Sequence, residues 1–503
     1  MTSALEAAEQ AVAQRPGDAA LWCQLGLARI DAGQLPQSEA CWRKVLALEP
    51  GHARASVNLG LVLQHSGREE EALGQYRNAV AADAGLGQAR FNLGALLLGL
   101  GRALEAVEPL RAAVRLDAGR ADWRAALASA LTAYFDAAPV PPRPARARRE
   151  PRVVLDGVFF QDFDTGISRV WQSLLQEWVA SGFARHIVLL DRQDTAPPIA
   201  GVRRRVVPRH DYARLDEDRA TLERVCDEEG ATAFVSTYYS NPLRTPAVMV
   251  AYDMIPEVFG ADFGDPMWRE KATCIRNARR FVTISASTAR DLCGFYPEVD
   301  PGRVTVAHCG VSRLFRQASA AEVDDFRRRH GIARPYFLLV GARGAYKNAQ
   351  AFLRAFGSFR DRARFAVVCV GGEKNLEPEL ATLKEGSERH MLRLEDPELR
   401  LAYAGAVALA YPSVYEGFGM PVAEAMACGC PVITTRSSSL PEVAGDAALY
   451  VDPADEAALH EALLKVAAPA QRAQMIERGL ERARRFSWTK MAGIVAGALE
   501  EAA

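Results

Sequence analysis

The sequence predicts a multidomain chain: an α-helical repeat solenoid followed by two doubly wound α/β domains in tandem. Three observations predict it. Leu25-Gly26, Leu59-Gly60 and Leu93-Gly94 recur 34 residues apart, as do Gly33, Gly67 and Gly101. Beyond residue 151, short Val/Ile/Leu runs bounded by glycine alternate with helical patterns to the end of the chain, as parallel strands covered on both faces require. These runs fall into two series that meet near residues 312–335. At roughly 100 to 200 residues per domain, a length of 503 residues accommodates all three parts.

The repeats come first. The second half of each 34-residue unit carries Ser38, Ala72 and Ala106, then Trp42, Tyr76 and Leu110, then Val45, Ala79 and Ala113 at matching offsets. That pattern makes two packed helices per unit. The register runs back through Ala4, Ala11 and Pro16 as the second helix of a half unit, and Pro50 closes the first full unit. Over residues 1–135 these positions resemble the tetratricopeptide repeat, whose helix pairs stack because a single pair cannot bury its apolar face. The closing proline of that repeat is replaced by Ala84 and Ala118 in the later units. The resemblance implies a groove for a peptide or protein partner; a spacer or dimerisation arm is the other reading.

Residues 136–151, with five prolines and four arginines and no apolar period, read as a solvated linker. Strand-length runs then follow at 152–158, 186–190, 233–236, 247–251, 281–285 and 304–307. The second series holds 336–341, 365–371, 407–411, 431–434 and 449–451.

Composition narrows the function classes. A net charge of −1 and the balance of 61 basic against 62 acidic residues give no electrostatic case for nucleic acid. No apolar run reaches the ~18 residues of a membrane span, which leaves only peripheral membrane contact open. The nine cysteines are scattered without a C-x-x-C pair and read as reduced core residues. Met1–Glu9 lacks a basic-then-apolar leader pattern, so the expected location is cytoplasmic. Neither zinc spacing nor a dinucleotide or Walker glycine fingerprint is present.

In an open α/β sheet the ligand lies beyond the carboxyl ends of the strands. After the run ending at Tyr411 comes PSVYEGFGMPVAEAMACGCPVI, in which seven residues separate Glu416 from Glu424. Gly417 and Gly419 permit close backbone approach, and Pro421 suits the first turn of a following helix whose free N–H groups favour a phosphate. Glu424, in that helix, can accept hydroxyl hydrogen bonds from a sugar ring. The string resembles the signature of retaining group 1 (family 4) glycosyltransferases of the two-domain GT-B fold, built from two Rossmann-like domains, and the resemblance extends over residues 152 to about 490. It implies that Glu416 contacts the donor sugar or its phosphate end and Glu424 the nucleotide ribose. The backbone at Phe418, Gly419, Met420 and Pro421 would cradle the sugar diphosphate.

A second match, Phe337–Asn348 (FLLVGARGAYKN), ends a buried strand at Gly341 and carries Arg343 and Lys347. Fixed cations there would stabilise charge developing on the departing β-phosphate. Only seven of the 61 basic residues are lysine, which makes Lys347 informative, whereas Arg343 sits one position later than in many relatives. In the first sheet domain, Asp164–Val170 (DTGISRV) resembles the family's phosphate- and acceptor-facing loop through Gly166. Val248–Phe259 resembles a segment that in many relatives reads His-Asp, and has Tyr252 before Asp253 as a residue to position an acceptor hydroxyl. Ser285–Leu292 and the strand before His308 read as a helix cap and a crossover, with His308 structural.

The resemblance therefore implies a metal-independent, retaining transferase with no cofactor. Its donor would be a UDP- or GDP-sugar and its acceptor a protein, a glycan or a lipid-linked saccharide, with the repeats recruiting acceptor or partner. Residues 152–312 would form the acceptor domain, 313–485 the donor domain, and 486–503 a helix packing back on the first. A degenerate transferase acting as an interaction scaffold through its repeats is the competing reading.

Overall fold

The computed structural model describes residues 2–137, 150–161, 166–372, 388–452 and 454–503. Most of the Pro/Arg linker, 138–149, and Asp164 and Thr165 of the DTGISRV segment lie outside the described residues. The chain divides into two compact units, Met1–Pro139 with Arg290–Asp300, and Val140–Ala289 with Pro301–Ala503.

Eight helices build the first unit: α1 (Thr2–Gln14), α2 (Ala19–Asp31), α3 (Leu35–Leu48), α4 (Ala53–His65), α5 (Glu69–Ala82), α6 (Gly87–Gly99), α7 (Ala103–Leu116) and α8 (Ala121–Asp136). The starts of α2, α4, α6 and α8 are each 34 residues apart, and so are those of α3, α5 and α7. The glycines of the period have two distinct jobs. Gly26, Gly60 and Gly94 admit the partner helix: a Cβ on them would come within 2.8, 2.5 and 2.5 Å of Trp42, Tyr76 and Leu110. Gly33, Gly67 and Gly101 turn the chain at φ of +71°, +73° and +74°, where a side chain is strained. Ser38 ties the first pair together, since its Oγ donates to the carbonyl of Gly26 and accepts from Trp42 Nε1.

The second unit holds two all-parallel sheets. The first contains β1 (Val153–Asp156), β2 (Ile187–Arg192), β3 (Arg203–Val207), β4 (Ala233–Ser236), β5 (Ala247–Ala251), β6 (Ala278–Thr283) and β7 (Val304–Val306), in the order β3-β2-β1-β4-β5-β6-β7. The second contains β8 (Tyr336–Val340), β9 (Ala366–Val370), β10 (Glu388–Leu392), β11 (Ala408–Tyr411), β12 (Val432–Thr434) and β13 (Ala448–Tyr450), in the order β10-β9-β8-β11-β12-β13. Both are doubly wound, with the strand order reversing at β1/β4 and β8/β11.

Two strands were not expected from the sequence. The outer strands β3 (RRRVV) and β10 (ERHML) are half solvent-facing and have charged residues where the central strands have Val and Leu. Arg203 and Arg205 pair with Glu229, and Arg204 with Asp191 and Asp194, so salt bridges cover an edge that the inner strands leave to apolar packing.

One core joins Val235 and Val250 of the first sheet, with Trp171 and Trp178 of the helix Gly166–Ser181, to Leu338 and Leu409 of the second, with Val422 of the helix Met420–Ala427. The helix Trp488–Ala502 contributes Met491, Val495 and Leu499 to it, and the Ala492 carbonyl accepts from Trp178 Nε1 at 3.0 Å. All nine cysteines are free thiols and eight are buried.

Candidate active site

The residues singled out in the second sheet follow β8 and β11, the two strands at its switch point. β8 runs into Gly341, whose φ of +93° requires glycine even though a Cβ there would touch nothing within 4 Å. Arg343 then turns inward: it is 2% exposed and its Nη1 donates to the carbonyl of Gly371, just past β9, at 2.7 Å. A short turn, Ala345–Lys347, and Asn348 at φ +48° lead into the helix Ala349–Ser358. That turn delivers Lys347 to the loop after β11. Its Nζ donates to both carboxylate oxygens of Glu416, at 2.7 and 2.8 Å, and to Tyr411 Oη at 3.0 Å. Burial, reinforced by Glu416, pushes the Tyr411 hydroxyl far above its ordinary range and keeps it neutral.

The loop carrying Glu416 is held by its backbone. The Glu416 amide donates to Ser438 Oγ, and Ser439 Oγ donates to the carbonyls of Glu416 and Phe418. The Phe418 ring is buried edge-on against Phe486 with centroids 5.2 Å apart, so that residue offers a ligand its backbone only. Gly419, at φ +95°, precedes the helix Met420–Ala427 without contributing a side-chain cap, and Pro421 occupies its first turn. Pro421 has no N–H and the Val422 N–H donates to the Gly419 carbonyl at 3.0 Å, which leaves the Met420 N–H for an incoming anion.

Glu424, four residues into that helix, is buried. One carboxylate oxygen accepts from Arg169 Nη1 at 2.7 Å and the other from Tyr403 Oη at 3.1 Å. Burial pushes its carboxyl above the ordinary range, and Arg169 and Tyr403 only partly oppose this. Arg169 also bridges to Asp396 at 2.7 Å. Two donors thus occupy the oxygens that the sequence assigns to ligand hydroxyls.

The first-sheet residues reach the same place. Gly166 opens the helix Gly166–Ser181, and a Cβ on it would lie 2.7 Å from Met420 Cε. Gly417 is more constrained, since a Cβ there would fall 1.9 Å from the Tyr252 carbonyl oxygen. Next to that contact, the Asp253 carboxylate accepts from the Ile255 amide at 3.0 Å. Burial raises its pKa, partly countered by Lys271, while Glu257 and Glu416 add to the rise. Lys271 is itself buried, donating to Glu257 at 2.7 Å and to the Asp253 carbonyl at 3.3 Å.

Lys347, Glu416, Gly419, Met420, Gly166 and Asp253 therefore gather around the loop after β11, with Glu424 one helix turn away; Arg343 is turned toward β9. His308 pairs with Glu442, whose oxygens also accept the Ala286 and Ser287 amides at the start of the helix Ala286–Phe295. Sequence reasoning missed Arg169, Tyr403, Tyr411, Lys271 and Glu442. Arg169 had one available signal, its position three residues after Gly166 on the same helix face. Among the described residues, no group of three or more His, Cys, Asp or Glu side chains is placed to hold a metal, and no helix is long and apolar enough to cross a membrane.

Residues 322–482 match the family described as glycosyl transferases group 1, and residues 165–313 match Glycosyltransferase Family 4. The O-antigen chain mannosyltransferase B of Escherichia coli is 30% identical over 222 residues, which is 42% of this chain and 58% of that protein. The O-antigen chain mannosyltransferase RfbU of Salmonella typhimurium is 26% identical over 236 residues, 46% of this chain and 64% of that protein. The MMP alpha-(1->4)-mannosyltransferase of Mycolicibacterium hassiacum is 37% identical over 240 residues, 45% and 55% of the two chains. The chain thus spans a little over half the length of these curated relatives. Among solved structures, WaaG, a glycosyltransferase involved in lipopolysaccharide biosynthesis, superposes with a TM-score of 0.56 at 18% identity, covering 68% of this chain and 98% of that one. Anabaena HepE in complex with UDP does so with a TM-score of 0.56 at 15% identity, covering 70% and 100%. The second unit thus has the GT-B fold of two parallel sheets, and its two halves are similar to Glycosyltransferase Family 4 and to the group 1 glycosyl transferases.

Proposed function

We propose that the protein is a retaining glycosyltransferase that moves a sugar from a UDP- or GDP-sugar to a saccharide or protein acceptor without a metal. The observation that carries this reading is the Lys347–Glu416 pair beside the uncapped start of the helix Met420–Ala427. An ammonium and the Met420 N–H at the helix start can take the charge of a departing nucleoside diphosphate. The bond from the anomeric carbon to the phosphate oxygen breaks with its electron pair going to the phosphate. The acceptor hydroxyl attacks from the same face and its proton passes to that phosphate oxygen. Glu416 orients Lys347 and the donor sugar, and Glu424 takes the ribose hydroxyls in place of Arg169 and Tyr403. Arg343 supports the loop from below, through Gly371.

Residues 152–312 then act as the acceptor half and 313–485 as the donor half. The names of the relatives, mannosyltransferases in three cases, favour a hexose donor and a saccharide acceptor. We read the eight-helix unit as tetratricopeptide repeats that bring an acceptor or partner to the enzyme. The 34-residue spacing of the helix starts supports that reading.

The test is binding and turnover of UDP-, GDP- and ADP-sugars with and without EDTA on the full chain, on Glu424→Ala and on Lys347→Ala. Metal-independent binding of one donor, weakened in both variants, is the expected result. Absence of binding to every donor would overturn the transferase in favour of a scaffold.

A further inference from the structure

The helix Ala286–Phe295 follows β6 of the first sheet, yet the carboxylate that meets its start comes from the second-sheet half, 156 residues away. Glu442, on the helix Leu440–Ala444, accepts the Ala286 amide at 2.7 Å and the Ser287 amide at 3.2 Å, and lies 2.5 Å from His308 Nε2. Burial pushes its carboxyl up, but the hydrogen bonds from His308 and the two amides outweigh this and hold it below the ordinary range. It therefore meets the positive end of the helix as a carboxylate. Its own backbone is fixed to the second half, because Arg482 donates to the carbonyls of Glu442 and Val443. A local cap is already present: Ser285 Oγ accepts the Thr288 amide at 3.0 Å. Glu442 adds to it a link between the two sheets.

The link bears on the candidate active site. The buried Thr288 hydroxyl, in the first turn of the same helix, sits 3.2 Å from the Tyr252 carbonyl oxygen and 3.3 Å from that of Gly417. Tyr252 precedes Asp253 and Gly417 follows Glu416, so this one hydroxyl bridges the two segments whose close approach excludes a Cβ at Gly417. From the other side, Ser438 and Ser439, which lead into the helix of Glu442, hold the Glu416 amide and the Glu416 and Phe418 carbonyls. The stretch 438–442 thus grips the Glu416 loop at one end and the first-sheet half at the other. Thr288 closes the ring.

We propose that Glu442 and Thr288 are positioning residues, which together hold the Glu416 loop in register with Asp253 across the two sheets. Both act through that loop, and their effect on turnover rests on the transferase reading above. A misplacement of about 1 Å at a reacting centre can cost about a hundred-fold in rate, so a ring of hydrogen bonds outside the site can govern kcat.

The test compares the full chain with Glu442→Ala, Thr288→Val and Thr288→Ser, each at a temperature where circular dichroism shows it folded. Hydrolysis of the UDP-, GDP- or ADP-sugar that binds gives kcat, and titration with the matching nucleoside diphosphate gives Kd. Glu442→Ala and Thr288→Val are expected to lower kcat by about ten-fold or more while Kd stays within about three-fold, and Thr288→Ser, which keeps the hydroxyl, should regain most of kcat. Unchanged kcat in the folded variants, an equal loss of kcat and affinity, or a Thr288→Ser variant no better than Thr288→Val would each overturn the assignment. Amide hydrogen exchange adds a readout that needs no donor. In Glu442→Ala the Glu416 amide should exchange about ten-fold or more faster, together with those of Ala286 and Ser287. Acceleration confined to Ala286 and Ser287 would make Glu442 a helix cap only and overturn the proposal. Should Glu442→Ala fail to fold, Glu442→Gln carries the same measurements. Failure of the wild type to bind any of the nucleoside diphosphates would instead count against the transferase reading, and the exchange result would then decide the positioning role by itself.

Discussion

The helical unit and the α/β unit bury comparable side chains, but they assemble over different distances along the chain. In the repeats, Ser38 bonds to Gly26 twelve residues away and Trp42 to Ser38 four away, and the same small-against-large contact recurs at Gly60 and Gly94. In the α/β unit, Lys347 meets Glu416 across 69 residues and Arg169 meets Glu424 across 255. Local contacts close small loops and can be repeated cheaply, so a periodic sequence is enough to specify them. The site exists only once two sheets have formed and set their strand ends against each other. Damage to the repeats should therefore act on stability, and damage to the site on turnover.

The sharpest way to break that distinction is Lys347→Ala, expected to lower kcat/KM by a hundred-fold or more, about 3 kcal/mol, with little change in melting temperature. Donor turnover and calorimetry on the same sample measure both. Gly417→Ala comes next. Its Cβ would collide with the Tyr252 carbonyl, so the loop must shift, and a loss of about 2 kcal/mol in stability together with at least ten-fold in turnover is expected. The matching change in the other unit, Gly60→Ala, drives a Cβ to within 2.5 Å of Tyr76 and should cost about 1–3 kcal/mol while leaving donor binding unchanged. Equal loss of turnover in these two glycine variants would erase the contrast.

Glu424 sharpens it by pH. Its folded pKa is raised by burial, so between the unfolded value, about 4.3, and the folded one the native chain keeps a proton the unfolded chain has lost. Stability from this group is present at low pH and falls as pH rises through that window, by up to about 1.4 kcal/mol per unit. Glu424→Gln should remove this slope, so the variant's melting temperature should gain on the wild type as pH rises above about 4.3. A constant difference across that range would sink the assignment. The smallest effect is Gly33→Ala, where a Cβ meets no neighbour but φ is +71°; about 1 kcal/mol of strain, without any change in turnover, is expected from denaturant titration.

The legible part of the fold was its interior. The central strands β5, β8, β9 and β11 are uninterrupted apolar runs because both faces are covered, β1 and β4 are such runs closed by Asp156 and Ser236, and each is visible in the sequence. β3 and β10 were not, since Arg203–Arg205 and Glu388–His390 satisfy an exposed edge with ion pairs and carry no apolar run. At the site, Glu416, Glu424 and Lys347 stood out through glycine-bounded strings and a scarce residue type. Arg169, Tyr403 and Tyr411 look like ordinary helix or strand residues until the partner elements arrive.

The sequence by itself determined the 34-residue period, the helix lengths it imposes and the alternation of strand and helix beyond residue 151, because each depends on neighbours a few residues away. The tertiary structure decided that Arg343 turns to the Gly371 carbonyl while Lys347 takes Glu416, and that Arg169 holds Glu424. Those choices depend on which buried charge can reach a partner once water is excluded, and only the packed positions of distant strand ends set that distance.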